Sequence, residues 1–244
     1  RIKRYEKTFS YMAVHRMPVM IRVDGRAFHT FTRHLKRPFD KEFVSAMVTA
    51  ATEVAKDMQG FKCAYIQSDE VSFCLTDYDS LETQGWFDYD LSKMVSLSAS
   101  LMTVHFNKAY PTDKVPVFDS RAFTVPIDDV VNAFLWRAKD WERNSLQMYC
   151  RAHFSHKTLH EKKRADMHEM LHGIGKNWAK DLTDQERNGT FLIAAESGIE
   201  VRTDVLPTYA DVKAAIGSLF DMSANVAHEP TADNEHGDTD DKRS

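Results

Sequence analysis

Two acidic turns, each delivered by short apolar runs, constrain this chain more than any other feature. The first, Asp24-Gly25-Arg26-Ala27-Phe28-His29, follows a brief apolar run over residues 19–23 with Arg22 inside it; the second, Ser68-Asp69-Glu70, lies between β-rich runs at residues 61–67 and 71–75. Short apolar runs bounded by turn residues read as buried strands, and the second pair reads as a hairpin with its acid at the tip. Between the turns, Phe43, Met47, Ala50, Ala51, Val54 and Met58 recur at helical spacing behind a capping Asp40, and Gly60 stops the helix expected over residues 40–58. A second helix is expected over residues 91–107, with Met94, Leu97, Leu101 and Val104 on its apolar side, then a strand over residues 115–125 that ends at Pro126.

Strand, helix, hairpin, helix, strand is the split βαβ order of ferredoxin-like and polymerase-palm domains. The expected fold class is therefore α+β, an antiparallel sheet with helices on one face and the other face open to substrate. In that topology the strands carrying Asp24 and Asp69 are neighbours. Residues 1–16 read as a helical lead-in. After Asp128 the pattern turns helical and charged to about Trp178, and residues 183–202 read as a small β element with a turn at Asn188-Gly189. The organisation expected is a palm-like catalytic core over residues 1–127, a helical C-terminal extension over 128–222 in the same compact unit, and a disordered acidic tail over 223–244.

At 244 residues and 43% hydrophobic, the chain can bury a sizeable core. Its formal net charge of −4 lies after residue 228, where Glu229, Asp233, Glu235, Asp238, Asp240 and Asp241 face only Lys242 and Arg243, so the rest is neutral. Neutrality leaves room for a local basic face, because phosphate affinity follows charge placement. Cys63, Cys74 and Cys150 fit neither a C-x-x-C site nor a disulfide framework, which points to a reducing, cytoplasmic setting. The residues show no signal-peptide pattern and no apolar stretch of the roughly eighteen residues a membrane span needs. The chain opens on Arg1 rather than methionine, so an upstream segment is expected.

Two carboxylates at neighbouring strand ends, one beside a glycine that lets backbone approach a phosphate, suit a Mg²⁺-dependent nucleotide site. Asp24, Asp69 and Glu70 are the candidate catalytic acids. Gly25 to His29 can wrap N–H groups round a triphosphate, with Arg26 and His29 as directed donors and Ser68 offering a hydroxyl. Arg143, Asn144, Arg151, His153, His156 and Lys157 belong to the densest basic run, which reads either as contact with RNA phosphates or as a solvated helix face. The histidines at 153–172 lie at helical spacing and include His168-Glu169-Met170-Leu171-His172, which spells H-E-x-x-H, yet zinc is not expected there. Trp136, Trp141 and Trp178 are expected to pack rather than stack on bases.

The string R-V-D-G-R-A-F-H-T-F at residues 22–31, with Q-S-D-E-V-S-F at 67–73 and F-D-S-R at 118–121, resembles the tRNA-His guanylyltransferase family. Members of that family extend RNA in the 3′-to-5′ direction on a polymerase-like palm. The resemblance implies that Asp24 and Asp69 bind two Mg²⁺ ions with the Gly25 carbonyl as a further ligand. It also implies that Asp24, Gly25, Arg26, Ala27, Phe28, His29, Ser68, Asp69 and Lys93 bind nucleotide, with Glu70 an acid near the site. ATP and GTP or another NTP would be substrates, tRNA the partner, and a homotetramer the assembly. Eukaryotic members carry H-I-N-N-L-Y-N where this chain has Glu142-Arg143-Asn144-Ser145-Leu146-Gln147-Met148. That difference resembles the bacterial and archaeal guanylyltransferase-like proteins, which repair 5′-truncated tRNAs. A palm-type nucleotidyl cyclase, a 5′-to-3′ polymerase and a noncatalytic tRNA binder are the alternatives, although the G-G-D-E-F-like hairpin of diguanylate cyclases is missing.

Overall fold

A six-stranded antiparallel sheet in the order β4-β1-β3-β2-β5-β6 organises the computed structural model, which describes residues 1–221 apart from residues 9 and 81. The tail expected from residue 223 lies outside the described residues. The strands are β1 Val19–Gly25, β2 Phe61–Gln67, β3 Glu70–Leu75, β4 Phe118–Thr124, β5 Thr190–Ala195 and β6 Gly198–Arg202. The helices are α1 Ile2–Lys7, α2 Phe28–Phe31, α3 Lys41–Asp57, α4 Leu91–Ala109, α5 Val130–His153, α6 His156–Leu159, α7 Arg164–Gly173, α8 Trp178–Asp181, α9 Asp184–Asn188 and α10 Tyr209–Ile216. Among the described residues no helix is long and apolar enough to cross a membrane.

The order β4-β1-β3-β2 is the split βαβ arrangement, and α3 and α4 cover one of its faces. Asp40 caps α3 by accepting from the Glu42 and Phe43 N–H groups. Gly60, at φ +76°, turns the chain into β2 where any Cβ would meet the Thr76 carbonyl oxygen at 2.0 Å. Alternation along the strands sends Val19, Ile21, Val23, Val71, Phe73 and Leu75 toward α3 and α4.

The opposite face is not left open as expected. Met20, Cys63, Tyr65, Cys74, Phe191 and Ile193 point to that side, and Val130, Phe134, Ala138 and Trp141 of α5 cover them together with Val212 and Ile216 of α10. Side chains of that size need a cover, and the extension supplies it. At the end of this face that carries Arg22, Asp24 and Glu70 the sheet's own side chains are polar.

Residues 190–202 form the β element expected over 183–202, whereas the stretch before it does not. Thr183 and Glu186 form a capping box that starts α9, so Asn188-Gly189 ends a helix, and β5 pairs with β2 to lengthen the main sheet. The helical lead-in is confined to six residues, none buried.

Candidate active site

Strand register builds the centre of the site. Arg22 and Asp24 continue the series begun by Met20 and stand on the α5 side of β1. Antiparallel pairing sets Asp24 opposite Glu70 on β3 and opposite Asp119 on β4, and sets Arg22 opposite Ser72 and Arg121. Directly paired residues share a face. A row of three carboxylates therefore crosses β4, β1 and β3, backed by a row with two arginines. Asp69 adds a fourth acid from the hairpin tip. The Gly25 N–H donates to the Asp69 carbonyl at 3.1 Å and ties the two turns together, while the Arg26 N–H donates to Val117 at 2.9 Å. Each turn holds one non-glycine residue in the left-handed region, Ala27 at φ 56° and Ser68 at φ 50°. Such strain, about 1 kcal/mol or more per residue, concentrates at functional sites.

Burial raises the Asp24 pKa, and the charges of Glu70 and Asp119 raise it further against the pull of Arg121. Burial likewise pushes Asp69 up to about 6, with Asp24 adding to the rise and Ser68 opposing it. Glu70 is engaged otherwise. Arg137 of α5 donates to it through Nε at 2.7 Å and Nη2 at 2.8 Å, Gln67 donates at 3.2 Å, and Arg22 lies 3.6 Å away.

A cleft of about 280 Å³ opens between this cluster and α5, with Asp24, Asp69 and Glu70 on one wall and Arg137, Asp140, Asn144, Gln147 and Arg151 on the other. An annex of about 390 Å³ shares Ser68, Trp141, Met148 and Arg151 with it and continues past His29 to Arg33, Lys36 and Arg37. Acids at one end and cations along the rest suit a polyphosphate bridged by a divalent cation.

Asp24, Ser68, Asp69, Asn144 and Arg151 thus meet in one cleft, and His29 joins them through the annex. Arg26 and Ala27 are exposed on the first turn. The Phe28 ring is buried among Phe31, Phe43, Phe106 and Phe118, which leaves only its backbone for a nucleotide. A Cβ on Gly25 would sit 2.3 Å from that ring, so packing as well as phosphate access selects glycine there.

Lys93 is not brought to the carboxylates. Helix α4 starts at the far end of the sheet, where Leu91 N–H donates to Tyr11, and only reaches the Gly25 end at Thr103, whose Oγ1 accepts from the Phe118 N–H. Ten residues of helix, ~15 Å, separate Lys93 from that contact. The basic run is divided as well. Asn144 and Arg151 face the cleft, Arg143 pairs with Asp140, the His153 ring packs edge-on to Tyr149 at 5.1 Å, and His156 and Lys157 are exposed on α6. Sequence reasoning missed Arg137, Asp140, Gln147 and Met148, although 137, 140, 141, 144, 148 and 151 follow helical spacing along one face.

Among the described residues, no three His, Cys, Asp or Glu side chains are grouped to hold a metal by themselves. Mg²⁺ asks for less, commonly one or two carboxylates with phosphates and water completing its octahedron. Asp24, Asp69 and the Gly25 carbonyl are hard oxygen donors of that kind, and the mutual repulsion of the two acids is what a divalent cation relieves. Asp69 carries a testable cost. Its folded pKa of about 6 exceeds the reference 3.8, so the folded state binds more protons and loses stability as pH rises from about 4 through 6. Without divalent cations, Asp69→Asn should gain about 2 kcal/mol at pH 8, a rise in Tm of ~4–8 °C, and nothing at pH 4. Thermal unfolding at both pH values checks this; equal gains at both would remove the carboxylate's charge as the cause.

The family model for tRNAHis guanylyltransferase (Thg1) matches residues 1–126, a little over half of the chain. The chain belongs to that family. A probable tRNA(His) guanylyltransferase of Dictyostelium discoideum is 34% identical over 146 residues, 54% of this chain and 54% of that protein. The chain thus spans about half the length of that curated relative. A bacterial tRNA(His) guanylyltransferase (Thg1)-like protein in complex with ATP superimposes with a TM-score of 0.85 at 34% identity, covering 91% of this chain and 98% of that one. A bacterial Thg1-like protein in complex with GTP gives 0.77 at 32% identity, over 90% and 97%. The guanylyltransferase family is one of nucleotidyltransferases, and the six-stranded antiparallel fold described above matches these Thg1-like structures.

Proposed function

We propose that this guanylyltransferase-family chain adds nucleotides to the 5′ end of tRNA in the 3′-to-5′ direction, using ATP or GTP for activation and an NTP as the added unit. The observation that carries the reading is the shared cleft of Asp24 and Asp69, two partly buried acids with raised pKa values beside a cation-lined annex. The ATP- and GTP-bound bacterial relatives, alike over nine-tenths of this chain, support it.

In this reading Asp24, Asp69 and the Gly25 carbonyl hold two Mg²⁺ ions. Bound there, Mg²⁺ lowers the pKa of the attacking hydroxyl and neutralises charge on the phosphates. The chain itself supplies positioning and electrostatics. The turn from Gly25 to His29, with Ser68, seats the activating triphosphate, and Arg33, Lys36, Arg37 and Arg151 offset its charge. A 5′-monophosphate oxygen attacks the α-phosphorus of ATP and expels pyrophosphate; the 3′-OH of the incoming NTP then attacks the 5′-phosphorus and expels AMP. A 5′-triphosphate end skips the first step.

Residues 142–148 lack the eukaryotic H-I-N-N-L-Y-N motif, and Glu142 is tied to Arg164 of α7 at 2.7 Å. This favours repair of truncated tRNAs over an exclusive tRNA-His substrate. Lys93, remote from the carboxylates of its own chain, would serve a second copy in the tetramer that the resemblance suggests, and a cytoplasmic setting fits three buried free thiols. Incubation with labelled NTPs, Mg²⁺ and a 5′-truncated tRNA tests the reading. It predicts RNA-dependent growth at the 5′ end; a cyclic mononucleotide made without RNA, or tRNA binding with no extension, would overturn it.

A further inference from the structure

One tryptophan departs from the packing role expected of it. Trp86, Trp141 and Trp178 are 4%, 5% and 8% exposed, whereas Trp136, on α5, is 59% exposed. Its ring is nevertheless fixed. The Arg137 guanidinium carbon lies 4.7 Å from the ring centroid and that of Arg22 lies 5.2 Å away. Both arginines also reach Glu70, so the indole stands one guanidinium away from the row formed by Asp119, Asp24 and Glu70. Trp136 lies outside the cleft, separated from it by the Glu70–Arg137 bridge.

We propose that Trp136 is a stacking platform for a nucleobase of the second substrate brought to the carboxylates. This inference rests on the nucleotidyltransferase reading above. A reaction that joins two nucleotides needs a seat on each side of the reacting atoms, and the cleft with its annex provides one. On the other side, this indole is, among the described residues, the large exposed aromatic surface beside the acids. Its two arginine neighbours hold the ring in place before a base arrives, which lowers the entropy lost on stacking. Their positive charge, together with Arg121 one strand away, meets the phosphate attached to such a base. Every base offers a π-face, so the platform tolerates any sequence. The base belongs either to the end of the RNA or to the incoming mononucleotide, and the two have the same stacking chemistry.

Because the other three tryptophans are buried, acrylamide quenching of the intrinsic fluorescence reads Trp136 selectively. The accessible component should vanish in Trp136→Phe. In the wild-type protein, saturating 5′-truncated tRNA or NTP should shield it, and the ligand that does so identifies the source of the base. For that ligand, Trp136→Leu should weaken binding by about 5- to 100-fold, measured by anisotropy of labelled tRNA or by titration with NTP, while Trp136→Phe retains most of the affinity. A side chain that only buttressed Arg137 would give no ligand-dependent shielding. Tight binding of both ligands with Trp136 still fully quenchable and Trp136→Leu at wild-type affinity would overturn the platform and leave the nucleotidyltransferase reading standing. Binding of neither ligand would overturn both.

Discussion

Asp24→Asn abolishes nucleotide addition while leaving the fold intact: this is the largest effect the site predicts. The substitution keeps side-chain volume at the end of β1 and removes one charge from a row in which Asp24 faces Glu70 and Asp119. Burial and those neighbours already raise the Asp24 pKa, so neutralising it relieves repulsion and should not lower Tm. Catalysis responds in the opposite sense. Charge stabilisation by a bound divalent ion is worth several kcal/mol in the transition state, and at about 1.4 kcal/mol per decade its loss slows the reaction by ~10³-fold or more. Single-turnover 5′ extension of a truncated tRNA, alongside circular dichroism and thermal unfolding, separates the two consequences. Asp119→Asn is the control, since Asp119 stands in the same row but pairs with Arg121 at 3.5 Å and is exposed. Its effect should be far smaller. An Asp24→Asn enzyme within tenfold of the wild-type rate would remove this carboxylate from the metal site.

The two acidic turns were legible in the sequence because each signal is local. A short apolar run, a turn former and an acid fix a strand end whatever packs against it, and the β2–β3 hairpin brought Asp69 to its tip as the pattern required. The two long helices were legible in extent for the same reason, but the apolar side expected of α4 is not the one it buries: Met94, Ser98, Met102 and Phe106 face the sheet, while Leu97 and Val104 are exposed. The second face of the sheet was misjudged because alternation was read without asking what covers Met20, Tyr65 and Cys74. Strands that are apolar on both faces need two layers of cover, and that signal was present in the sequence. The remaining errors are non-local. The pairing of β5 with β2, and the distance of Lys93 from the acids, depend on where a helix begins relative to a sheet. Arg137 is the instructive case: within its own helix it reads as one more solvated cation, and only the register of β3 under α5 turns it into the partner of Glu70.

That partnership carries the second large expectation. Arg137 is 8% exposed, and its guanidinium grips Glu70 through two hydrogen bonds while also touching Asp140 at 3.2 Å. Removing one member of a nearly buried ion pair leaves the other charge without its partner, which typically costs about 3–5 kcal/mol. Arg137→Met should fall at the lower end of that range, because Arg22 already lies 3.6 Å from Glu70 and can move closer. A loss of about 3 kcal/mol corresponds to ~6–12 °C in Tm for a chain of this size. Glu70 is bonded to Asp69 in sequence, so a carboxylate released from α5 also unfixes the hairpin tip, and the rate of 5′ extension should drop with the stability. The double variant Arg137→Met/Glu70→Gln removes both charges, and replacement of both partners in a buried pair is often close to neutral. It should recover most of the lost Tm. If it also recovers the extension rate, the pair acts by holding Asp69 in place; if stability returns and activity does not, the Glu70 carboxylate takes part in the reaction itself. A Tm unchanged in Arg137→Met would show that Arg22 and Gln67 suffice to hold Glu70 and that α5 does not anchor the site.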